Sequence, residues 1–115
     1  MDPLRNLPLE TPQPLETPQP LADLIAIQPG SVVSMALSRS DHCQMTLLAF
    51  AEGEGVSEER YFGDTLYLVL EGAMTLRQQG MRHTLQSGDG LLIPAGTSHA
   101  IGGAGPFKIL QITLQ

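Results

Sequence analysis

The sequence predicts an all-β protein, a sandwich or barrel of short strands. After Leu21 the apolar residues come in short blocks broken by Gly, Asp and Ser, the pattern of strands closed by tight turns. Several blocks alternate with a period of two. No long segment repeats every 3.6 residues, so helices are at most minor.

The chain has 115 residues, enough for one domain with a hydrophobic core and no disulfide or structural metal. Apolar residues at 42% and charged residues at 16% place it with globular rather than disordered chains. Its six basic residues, Arg5, Arg39, Arg60, Arg77, Arg82 and Lys108, are scattered singly against a net charge of −6. No basic stripe is available to follow a phosphate backbone, which argues against nucleic acid as a partner. Cys43 has no second cysteine to pair with and fits a reducing compartment. No signal-like apolar segment and no run of membrane-spanning length is present, so a soluble, cytoplasmic protein without membrane contact is expected.

The elements follow in order. LETPQP stands at Leu9–Pro14 and again at Leu15–Pro20. Prolines at this density exclude a helix and withdraw the donors a sheet needs. Residues 1–20 are therefore read as an extended, proline-rich arm, and residues 21–115 as the barrel domain. The arm is also the one feature that favours an interaction module with a proline-recognising partner. LADLIAI is too short to separate a helical turn from an extended lead-in. The strand blocks are SVVSMAL, QMTLLAF, TLYLVLE, AMTLRQQ, MRHTLQ, GLLIP, SHAI and FKILQITL. Between them, SRSDH, AEGEGVSEERYFGD, the Glu71-Gly72 corner, Gly80, SGD, AGT and GGAGP read as breaks.

In TLYLVLE, Thr65, Tyr67 and Val69 share one face and Leu66, Leu68 and Leu70 the other. FKILQITL sets Leu110, Ile112 and Leu114 against Phe107 and Ile109 in the same way. A small barrel buries only one face of such strands within itself. The second needs cover from the N-terminal segment or another subunit, and a homodimer is predicted. Met35, Met45 and Met74 fall on strand positions, where they suit either an adaptable cavity lining or plain core.

GDGLLIPAGTSH, Gly88–His99, is the most specific segment. It reads as a tight turn at Gly88-Asp89, a buried strand over Leu91–Ile93, a second turn at Pro94-Ala95-Gly96, and His99 on the next strand facing with Thr97 and Ile101. It resembles the second motif of the cupin superfamily, G-x5-P-x-G-x2-H-x3-N, through Gly88, Pro94, Gly96 and His99. The final Asn position holds Gly103. The first cupin motif, G-x5-H-x-H-x3/4-E-x6-G, fits in spacing from Gly53 to Gly72. Its two His positions carry Glu59 and Tyr61, and its Glu position carries Thr65. LYLVLEG is similar to the usual ending of that motif. The resemblance spans about residues 30–114 and rests on both motifs together. It implies a small single-domain cupin with an RmlC-like fold. Such a barrel is a double-stranded β-helix, or jelly roll, often dimeric, with its ligands in the mouth.

Cupin barrels host many activities, so fold alone does not assign one. A metal-bearing cupin supplies three imidazoles and a carboxylate to Fe, Mn, Ni, Cu or Zn. Only His99 of that set is kept here. The leading expectation is a pocket of Glu59, Tyr61, Thr65 and His99 that binds a small organic ligand, with no catalysis evident. One alternative is a metal-dependent enzyme, dioxygenase- or isomerase-like, with Glu59 and His99 as candidate ligands. The other is a metal-free isomerase or epimerase with His99 or Glu59 as base and Tyr61 as acid. A third reading makes His99 a satisfied structural residue and points Glu59 at solvent. Glu58, Asp64 and Glu71 read as solvated turn residues, His42 as an exposed loop residue and His83 as partly buried.

Overall fold

The structure, a computed structural model, describes residues 17–115. Most of the proline-rich arm, through residue 16, lies outside the described residues. Nine strands follow a short 3-10 turn at Leu21–Leu24: β1 (Val32–Arg39), β2 (Cys43–Phe50), β3 (Val56–Glu59), β4 (Thr65–Glu71), β5 (Ala73–Gln78), β6 (Met81–Gln86), β7 (Gly90–Ile93), β8 (His99–Gly102) and β9 (Phe107–Leu114). They pair antiparallel into a five-stranded sheet, β1-β2-β9-β4-β7, and a four-stranded sheet, β3-β8-β5-β6. The expected all-β architecture is therefore present as a double-stranded β-helix barrel. LADLIAI resolves into the single helical turn followed by extended chain.

The two sheets face each other across one apolar interior. Leu48, Phe50, Val69, Ile93, Phe107 and Ile109 from the first sheet meet Met74, Leu76, Leu85 and Ile101 from the second. Phe50 and Phe107 are register partners on β2 and β9, and their rings stack 4.5 Å apart at 8°. Such an aromatic pair contributes about 0.5–1.5 kcal/mol beyond its area burial. The chain passes from sheet to sheet at Gly72, where φ is +77°. A Cβ there would run into the Pro106 carbonyl oxygen and lie 3.1 Å from the Phe107 Cα, so only glycine fits this crossing.

The outward faces of β2, β4 and β9 form a second apolar cluster. Leu47, Ala49 and Leu110 are buried there under Ile25, with Leu21, Leu24 and Ile27 packed alongside. The segment is fastened by the Lys108 ammonium, which donates to the Ala22 carbonyl at 2.8 Å and lies 3.6 Å from the Glu71 carboxylate. The N-terminal segment thus supplies part of the cover that the leucine rows require. Leu92 and Leu114 stay about half exposed, at 55% and 49%.

Three local expectations need correction. AEGEGVSEERYFGD is not an uninterrupted break, because it contains β3, which pairs with β8 through a register shift between Val56 and Glu59. Leu91–Ile93 is not a buried strand: β7 is a sheet edge paired only with β4, and of these residues only Ile93 is buried. Met35 and Met45 do not line a cavity. They pair with Leu47 and Ile112 on the outer face, whereas Met74 is fully buried core.

Candidate functional site

The inner face of the five-stranded sheet changes character along its strands. Directly paired residues of an antiparallel sheet share a face, so the register defines rows. Leu48, Ile109 and Val69 make an apolar row. The next inward row is Thr46, Gln111 and Tyr67, and the next Gln44, Thr113 and Thr65. Thr46, Gln111, Tyr67, Thr113 and Thr65 are all buried. The four-stranded sheet brings His99 and Glu59 toward this polar end, opposite one another on β8 and β3.

The turn ahead of β8 sets where His99 begins. Gly96 adopts φ +79° and donates its N–H to the Tyr61 carbonyl at 2.8 Å. The Ala95 N–H donates to the Asp64 carboxylate at 2.9 Å. Asp64 is thus a structural clamp between the β3–β4 loop and this turn. Glu58 and Glu71 are exposed, the former accepting the Ser98 hydroxyl at 3.2 Å.

His99 is 2% exposed and both ring nitrogens have partners. Nδ1 lies 2.9 Å from the Thr97 carbonyl oxygen and Nε2 lies 2.7 Å from the Tyr67 hydroxyl. A carbonyl oxygen only accepts, so Nδ1 carries the proton. In the neutral ring Nε2 is then the acceptor for the Tyr67 O–H. The two tyrosine rings flank the imidazole, Tyr67 edge-on at 5.5 Å and Tyr61 tilted at 5.9 Å. Burial, and after it the charges of Tyr61 and Glu59, hold the Tyr67 phenol far above its ordinary ionisation range.

A shallow, solvent-open cleft is lined by Glu59, Tyr61, Tyr67, His99 and Gln111, with Val56, Ser57 and Ile101 completing the wall. The space it encloses is about 10 Å³, room for about one water molecule. Three of the four sequence-derived pocket residues, Glu59, Tyr61 and His99, line it together. Thr65 does not. It lies one pleat beyond Tyr67, cross-strand from Ile93 and Thr113, with its hydroxyl buried and unpartnered. Tyr67 and Gln111 are lining residues that motif spacing missed. Both are polar positions at inward parity in otherwise apolar strands, and that parity was the available signal. His42 is an exposed loop residue and His83 is half-buried opposite Leu76.

The four-ligand metal set implied by the family resemblance is not assembled by these side chains. Among the described residues no three of His, Cys, Asp and Glu cluster together. Thr65 stands off the cleft, and the lone pair of His99 Nε2 faces the Tyr67 hydroxyl. The donor set does not fit such a centre.

The comparisons agree with the architecture. Residues 46–113 match the family model described as "Cupin domain". A crystal structure of a cupin superfamily protein from Desulfitobacterium hafniense is 49% identical, with 96% of this chain and 95% of that one covered and a TM-score of 0.83. A cupin 2 conserved barrel domain protein from Leptotrichia buccalis is 29% identical over 83% of this chain and 46% of that one, with a TM-score of 0.80. A conserved protein of unknown function from Streptococcus pyogenes shares the fold at 18% identity, covering 86% and 87% of the two chains with a TM-score of 0.82. No curated protein sequence matches. With its nine-stranded barrel and a family match over most of its length, this chain belongs to the cupin family.

Proposed function

We propose that this cupin binds a small, uncharged, polar organic molecule in the cleft, where Glu59, Tyr61, the Tyr67 oxygen and Gln111 provide its hydrogen bonds and His99 holds the Tyr67 hydroxyl in place. The observation that carries this reading is the convergence of five polar side chains from β3, β4, β8, β9 and the loop after β3 on one opening. Pockets for small molecules have this character, a few placed polar groups in an otherwise apolar wall. Among the described residues, Glu59 is the only formally charged one in the lining, and no cation stands there to receive an acid. The enclosed space of about 10 Å³ is far below the ~300–1,000 Å³ of drug-sized sites, which favours a ligand of few heavy atoms held at the open mouth.

A titration of isotope-labelled protein with glycerol, acetamide and small aldoses, matched against acetate and glycerate, tests the reading. Neutral compounds should move the cleft resonances, and His99→Ala should weaken that binding about tenfold or more. A panel in which only the acids act on the cleft, or nothing does, sinks it.

The protein is also proposed to be a cytoplasmic homodimer. The half-exposed Leu92 and Leu114, beside partly buried Met35, Leu37, Leu68 and Ile112, support a second copy on the outer face of the five-stranded sheet. A monomer in sedimentation velocity at micromolar concentration contradicts it.

A further inference from the structure

We propose that the Tyr67 hydroxyl occupies the one coordinating position His99 has left, so that this imidazole is a hydrogen-bond acceptor rather than a metal ligand. Removing that single hydroxyl should create zinc affinity in the cleft. An imidazole binds a metal through a nitrogen lone pair. Nδ1 offers none, since its proton is directed at the Thr97 carbonyl at 2.9 Å. Nε2 has one, and the Tyr67 O–H points at it from 2.7 Å. The imidazole is 2% exposed and the phenol equally buried, so neither turns aside without leaving its partner unsatisfied in the interior.

A metal could enter by a second route, with Tyr67 giving up its proton and ligating as phenolate. Its burial works against the ionised form, as do the neighbouring charges of Tyr61 and Glu59. The same neighbours explain why the hydroxyl acts as a plug. Glu59 is cross-strand from His99 and lines the same cleft, so a carboxylate and an imidazole already face one space. What separates this pair from a weak two-donor metal site is the hydroxyl proton that Tyr67 directs at the Nε2 lone pair. The inference stands independently of which organic ligand the cleft takes, or whether it takes one.

The test is a zinc titration of untagged wild-type protein and Tyr67→Phe, followed through the ring nitrogens of ¹⁵N-labelled histidine. In the wild type, His99 should show the Nδ1–H tautomer and stay unmoved at equimolar zinc. In Tyr67→Phe, its Nε2 resonance should shift on zinc addition with affinity about tenfold or more above wild type. That gain should vanish in the double variant with His99→Ala. A wild-type ring protonated at Nε2, a wild-type Nε2 that shifts at equimolar zinc, or a Tyr67→Phe protein no better at binding zinc overturns the proposal. Thermal melts check that each variant is folded, and Tyr67→Met gives the same comparison should the phenylalanine variant fail to fold.

Discussion

The two ends of the inner face of the five-stranded sheet are made by the same three strands and differ in what they do. At one end Phe50 stacks on Phe107, and Leu48, Ile109 and Val69 form the next row. At the other, Thr46, Gln111 and Tyr67 and then Thr113 and Thr65 take the equivalent inward positions. Burial is similar at both ends, so exposure does not distinguish them. Chemistry does. The apolar end gains free energy from dispersion and loss of water contact and tolerates no gap. The polar end must satisfy hydrogen bonds, and it does so by reaching across the barrel to His99. A barrel with this gradient separates the residues that hold it together by apolar packing from those that line the cleft.

The contrast can be broken hardest at its apolar end. Phe50→Ala should cost about 3–5 kcal/mol in urea denaturation, through lost transfer free energy and the cavity left beside Phe107. The His99 tautomer should persist in the fraction that remains folded. Loss of the tautomer in that fraction would mean the two ends are not separable.

At the polar end, Tyr67→Phe should cost about 1–3 kcal/mol, because it leaves Nε2 of a buried histidine without its donor. The effect has a pH signature. Folding raises the Tyr67 pKa above its ordinary value of 10.0, chiefly through burial. The stability tied to its protonated form is thus fully present below pH 10.0 and is lost as pH rises above it, where the unfolded phenol ionises first. Wild-type stability should fall more steeply on the alkaline side than that of Tyr67→Phe. Parallel alkaline limbs in the two proteins contradict the buried, protonated phenol.

The smallest effect sharpens the boundary between the ends. Thr65 has a buried hydroxyl with no partner, so Thr65→Val should be neutral or stabilise by up to about 1 kcal/mol in thermal melts. A destabilisation above about 2 kcal/mol would show that the hydroxyl is bonded in solution and that the polar network extends past the cleft.

Much of this was legible before any coordinates. Glycine-bounded, period-two blocks specified an all-β barrel, and the Gly88–His99 segment located the turn and the histidine. Motif spacing also found Glu59 and Tyr61, since Glu59 is cross-strand from His99 and Tyr61 follows it in the loop that holds the Gly96 turn. It could not find Gln111 or Tyr67 as site residues. A polar side chain inside an apolar strand acquires meaning only when neighbouring strands are aligned, and the β2-β9-β4 register is not written along the chain. Thr65 erred for the same reason: it has the right parity but stands one pleat too far. The strand β3 was hidden because four residues with a register shift are too short to show alternation.

The crossing at Gly72 has a consequence for how this barrel can vary. With no space for even a methyl group between that corner and Pro106–Phe107, the β4–β5 hinge and the GGAGP segment share one steric allowance although they are distant in sequence. Any relative carrying a larger residue at the hinge must have displaced the entry to its last strand. The aromatic stack anchored there would then need to be rebuilt as well.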